Sequence, residues 1–65
     1  MRVLLNGMER DVSDGATVAE LVALTGAPAR GVAVAIDGAV VPGARWGSTV
    51  PEGSTVDVLT AVQGG

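Results

Sequence analysis

The stretch Thr17-Val18-Ala19-Glu20-Leu21-Val22-Ala23-Leu24-Thr25-Gly26-Ala27-Pro28 is where the chain reads as a helix, and its position decides the fold. Thr17 and Glu20 match a capping box, in which the N-cap hydroxyl takes the amide of the third helical residue and the carboxylate reaches back to the N-cap amide. Val18, Leu21, Val22 and Thr25 fall on one stripe at helical spacing. Gly26 supplies a left-handed cap and Pro28 bars continuation. The spacing predicts a helix of about two and a half turns, its apolar stripe against a sheet.

On the N-terminal side of the helix, Met1 to Asn6 is rich in branched residues and reads as a strand. Asn6-Gly7 tolerates positive φ at both positions, a strong hairpin signal. Met8 to Val12 is then the returning strand, and its charged middle suits a sheet edge, where charge discourages pairing with another molecule. Ser13-Asp14-Gly15 is a turn leading into the helix. On the C-terminal side, Val32 to Asp37 alternates large and small, placing Val34 and Ile36 toward the helix and Ala33 and Ala35 away from it. Asp37-Gly38 is a second hairpin turn, followed by a short strand, Ala39-Val40-Val41, that Pro42 ends. The segment from Gly43 to Val50 carries Trp46, read as a core plug. Pro51-Glu52-Gly53 turns the chain into a last strand from Thr55 to Val62, with Val56, Val58 and Val62 on one face and Leu59 and Ala61 on the other.

The order strand, strand, helix, strand, strand, strand points to an α+β fold: a mixed sheet with one covered face and the final strand returning to its middle. Residues 1–65 form a single domain near the lower size limit for folding unaided, too small to enclose a substrate pocket.

Composition excludes several functions. The chain has no cysteine, histidine, lysine or tyrosine, so it lacks disulfides, thiolate metal sites and a base to activate a Ser or Thr hydroxyl. A self-contained enzyme is not expected, and neither is a metal site. Four scattered arginines and a net charge of −3 argue against nucleic acid and for a basic partner. Apolar runs fall far short of the roughly 20 residues a membrane span needs, and the N-terminal stretch is too short for a signal peptide. The expected location is the cytoplasm.

The last residues, Thr60-Ala61-Val62-Gln63-Gly64-Gly65, run an apolar strand into two glycines. Such a pair cannot pack and costs ordering entropy, but it is thin enough to pass where an alanine methyl would not. If extended, Val62 to Gly65 would span about 13–14 Å, enough to probe a cleft. The expected working part is the carboxylate of Gly65, with Gly64 as the constriction residue and Val62 and Gln63 threading behind it.

Taken together, the chain resembles the sulfur carrier proteins of thiamine biosynthesis, a ubiquitin-like β-grasp family. The matching residues are Asn6-Gly7, Asp14-Gly15-Ala16-Thr17-Val18, Arg30-Gly31-Val32-Ala33-Val34-Ala35, Val41-Pro42 with Trp46, and Val58-Leu59-Thr60-Ala61-Val62-Gln63-Gly64-Gly65. Asp37, where an amide is common, and Gly43, where a charged residue is frequent, depart from the family pattern. The resemblance implies that a separate E1-like activating enzyme uses ATP and Mg²⁺ to adenylate Gly65. Sulfur from a cysteine desulfurase route then displaces AMP to leave a thiocarboxylate, and thiazole synthase takes the sulfur. No cofactor would be bound by the chain itself.

Strand parity turns Leu4 and Leu59 outward, and the family fold makes their strands neighbours. The expectation is one exposed apolar patch beside the tail, with Ala61 on the same side, forming a partner surface. Alternatives at this point are a carrier for molybdenum cofactor or cysteine synthesis, a ubiquitin-like modifier, and a non-catalytic β-grasp interaction module. The molybdenum carriers tend to have prolines where this chain has Ala61-Val62-Gln63.

Overall fold

A computed structural model describes residues 1–28 and 30–60. Two hairpins, a helix and a final central strand form the expected architecture. Strand β1 (Arg2–Leu5) turns at Asn6-Gly7 into β2 (Met8–Asp11), helix α1 (Val18–Leu24) follows, then β3 (Val32–Ile36), β4 (Ala39–Val41) and β5 (Thr55–Thr60). The sheet order is β2-β1-β5-β3-β4. β5 runs parallel to β1 and antiparallel to β3, so the strand made last occupies the centre. β2, with its charged middle, lies at an edge as its composition suggests.

Both hairpin turns take the left-handed conformation at each central residue: Asn6 at φ 51° and Gly7 at 82°, Asp37 at 50° and Gly38 at 85°. This pairing of positive φ values gives the twist that right-handed strands require of a two-residue connection. The helix starts at the expected capping box. The Glu20 amide donates to Thr17 Oγ1 at 3.2 Å, and the Thr17 amide donates to Glu20 Oε1 at 3.1 Å. A cap of this kind contributes about 1 kcal/mol, a large share of what holds a small domain together. The helix is slightly shorter than the spacing implied, ending at Leu24 with Thr25 as C-cap. Gly26, at φ 74°, then turns the chain away.

Two amides at the start of α1 have no partner within the helix, because the first turn never supplies one. Here the segment after β4 does so. The Val18 amide donates to the Ser48 carbonyl at 3.1 Å and the Ala19 amide to the Trp46 carbonyl at 2.9 Å. That segment opens with a single 3₁₀ turn, Gly43–Arg45, which the sequence did not announce. An isolated bridge between Thr17 and Thr49 completes the junction.

The core lies between α1 and one face of the sheet. It consists of Val3, Leu5, Ala16, Val18, Leu21, Val22, Val34, Val50, Val56 and Val58. Parity therefore correctly separates Val34, Val56 and Val58 from the exposed Ala33 and Leu59. Trp46 is half-buried and packs against the rim of this core rather than within it. Its indole Nε1 donates to the Val41 carbonyl at 3.1 Å, which explains why it stays at the margin. The buried Ser54 hydroxyl donates to the Pro51 carbonyl at 2.7 Å, so its burial leaves no unsatisfied donor. Among the described residues, no helix is long and apolar enough to cross a membrane.

Candidate functional site

The candidate site is the far end of β5 and the sheet face around it. β5 is paired on both sides only over its first half. β1 meets it at Leu4–Thr55 and Leu5–Val56, then leaves at the Asn6-Gly7 turn. β3 accompanies it further, through Val34–Val58 and Ala33–Leu59 to Val32–Thr60. The strand thus leaves the centre of the sheet pointing beyond the end of β1. Ala61, Val62, Gln63, Gly64 and Gly65, on which the threading and chemistry were expected to fall, lie outside the described residues.

The uncovered sheet face can be read in rows from the register. Leu4, Glu9 and Thr55 lie in one row, Val40, Ala35 and Asp57 in the next, and Ala33 beside Leu59 in the row closest to the tail. Leu59 is 65% exposed and Val40 76% exposed, both large for aliphatic side chains. Gly31, Val32, Ala33, Leu59 and Thr60 line a shallow depression where the described strand ends. Acidic groups dominate the other half of the face: Glu9, Asp11 and Asp57, with Arg2 Nη1 donating to Glu9 Oε1 at 3.4 Å.

The expected pairing of Leu4 with Leu59 in one patch needs correcting. Both do lie on the uncovered side, but Leu4 is level with Thr55, and Leu59 stands four residues further along β5. At the usual strand rise this is about 13 Å, with the Asp57 carboxylate between them. Leu4 is also half-buried. The apolar surface near the tail is made instead by Leu59 with Ala33, extending toward Ala35 and Val40. Val40 could have been found from the sequence, since it alternates with Ala39 and Val41, but its proximity depends on how β4 and β5 flank β3.

The fold and the emerging central strand define a ubiquitin-like β-grasp protein. Comparison with protein families gives a match to the ThiS family over residues 3–65, and the chain belongs to that family. Among solved structures it is similar to a thiamine biosynthesis protein (ThiS) from Geobacter metallireducens. The identity is 37%, each chain is covered over 100% of its length, and the TM-score is 0.75. A search of curated proteins finds no match.

Proposed function

We propose that the chain is a sulfur carrier of thiamine biosynthesis, acted on by other enzymes rather than catalysing a reaction itself. The observation that carries this reading is a family match that spans residues 3–65, Gly64 and Gly65 included. A carboxylate is a poor electrophile, because its charge repels nucleophiles and oxide is a poor leaving group. In the proposed cycle the Gly65 carboxylate attacks the α-phosphorus of ATP, pyrophosphate departs, and an acyl adenylate forms on an E1-like partner that holds Mg²⁺. A persulfide formed through a cysteine desulfurase attacks the acyl carbon and displaces AMP. A second thiol of the partner machinery then cleaves the resulting acyl disulfide, leaving a thiocarboxylate and a disulfide on the partner. The thiazole-forming enzyme takes up that sulfur and returns the carboxylate. The chain offers no Cys for a persulfide, which is consistent with the sulfur being held on the main-chain carbonyl carbon.

Mass spectrometry of the C-terminal peptide from sulfur-replete cells tests the reading. A mass gain corresponding to exchange of one oxygen for sulfur is expected. Isopeptide-linked products would identify a protein modifier instead, and an unaltered peptide in cells making thiazole would refute the carrier.

The apolar half of the open face is the surface proposed to meet the activating enzyme. Leu59→Asp is expected to weaken that association by about tenfold or more, since an interfacial charge would be desolvated without a partner. The fold should persist, because the Leu59 side chain already lies largely in water. Titration calorimetry with the activating enzyme, paired with a thermal melt, checks both halves. Unchanged affinity would remove this face from the interface.

A further inference from the structure

The two non-glycine residues with positive φ, Asn6 and Asp37, share a second property. Each turns its side-chain oxygen onto an amide of β5. Asn6 Oδ1 accepts from the Val58 amide at 2.7 Å, and Asp37 Oδ1 accepts from the Thr55 amide at 2.9 Å. Both bonds fall where the sheet ladder would have its next rung. On the β1 side, the Leu4 amide donates to the Ser54 carbonyl at 3.0 Å and the Asn6 amide to the Val56 carbonyl at 2.9 Å. A parallel ladder continued one step would give the Val58 amide to the Asn6 main-chain carbonyl. On the β3 side, the Asp37 amide donates to the Thr55 carbonyl at 2.8 Å, and an antiparallel pair would return the Thr55 amide to the Asp37 carbonyl.

With each residue in the left-handed conformation, its main-chain carbonyl does not take that rung. The side-chain oxygen takes its place. Glycine would satisfy the turn geometry equally well but could not supply the acceptor. An Asn or Asp at these positions therefore both permits the turn and completes a rung of the neighbouring strand.

The two contacts are not equivalent. Asp37 holds β5 at its first residue, where both neighbours already flank it. Asn6 holds it at Val58, the last hydrogen bond to the strand from the β1 side among the described residues. Beyond it, Leu59 and Thr60 are paired by β3 alone. We propose that Asn6 is a positioning residue for the tail: its side-chain carbonyl fixes the strand from which residues 61–65 depart. This role rests on the carrier reading. It acts before docking, by removing conformations of the strand end that the activating enzyme would otherwise have to order. Once the complex is formed, the reacting group is held by the partner. Loss of the bond should therefore raise KM for the carrier and leave kcat nearly unchanged.

Asn6→Gly separates turn from acceptor, because it keeps positive φ accessible while deleting Oδ1. Asn6→Asp keeps both. Amide hydrogen exchange at Val58 in the full chain should accelerate about fivefold in Asn6→Gly and return toward the wild-type rate in Asn6→Asp. In ATP–pyrophosphate exchange with the thiamine-pathway activating enzyme, Asn6→Gly should raise KM about fivefold with kcat within about twofold, and Asn6→Asp should restore it. Unchanged Val58 protection in Asn6→Gly would show that the bond does not hold the strand. Faster exchange with unchanged KM would show that it does not position the tail. If the wild-type chain supports no pyrophosphate exchange, the carrier reading falls and the tail role with it, whereas Val58 protection still reports on the strand itself.

Discussion

Gly64→Trp should abolish adenylation while leaving the domain folded. The indole adds bulk at the residue proposed to pass the narrowest part of the partner's cleft, one position before the carbon that reacts. Misplacement of a reacting group by about 1 Å can cost on the order of 100-fold in rate, and a side chain the size of Trp displaces it further or bars entry altogether. ATP–pyrophosphate exchange should therefore fall by at least roughly 100-fold. The stability of the body should not follow, since a glycine has no side chain to lose and the core among the described residues is built from Val3 to Val58. A thermal melt matching wild type, together with lost exchange, is the expected pair of results. A wild-type exchange rate from this variant would refute passage of a bare backbone through a constriction. Loss of both folding and exchange would instead place Gly64 in the domain.

Leu21→Ala has the opposite signature: it should damage the body and reach function only through unfolding. Leu21 is 0% exposed and heads the fully buried side chains by volume. Around it the core is almost wholly valine, with Leu5 and Ala16. β-branched neighbours are stiff at χ1 and cannot easily rotate into vacated space, so the cavity should persist. Leu→Ala replacements in such sites cost about 2–5 kcal/mol. A domain of this size holds about 3–10 kcal/mol in all, at the usual value per residue. The melting temperature should drop by roughly 10–30 °C, followed by circular dichroism. A loss below about 1 kcal/mol would mean that the core collapses around the vacancy or that Leu21 is not its centre.

The two variants separate handle from working end. A mutation in the helix stripe should lower activity in proportion to the folded fraction, and lowering the assay temperature should recover it. A mutation in the tail should lower activity at every temperature at which the protein is native. Leu59→Asp and Asn6→Gly fall between these cases, because both alter how the body presents the tail without removing either.

Local chemistry was enough to read the helix and both hairpins. Thr17 with Glu20 marks a helix start through bonds made within four residues, and Asn6-Gly7 and Asp37-Gly38 mark turns through their tolerance of positive φ. The alternation in Val32–Ile36 and Val56–Leu59 likewise assigns faces without knowledge of the partner strand. These features depend on interactions near in the chain, so a linear reading captures them. Burial of Val50, Ala16 and Ser54 was not legible in this way, because loop residues carry no period. Trp46 could be recognised as a packing residue but not as one held at the rim by the Val41 carbonyl.

What required the assembled sheet was register between distant strands. Leu4 and Leu59 have the right parity, yet whether they touch depends on β1 meeting β5 at Leu4–Thr55, a pairing across about fifty positions that no local pattern encodes. The same holds for Asn6: its residue type announces a turn, while its bond to Val58, 52 positions away, exists only once β5 has entered the sheet beside β1. Short-range sterics and periodicity depend on neighbours already present in the chain, whereas register is settled by the common burial of side chains from separate segments.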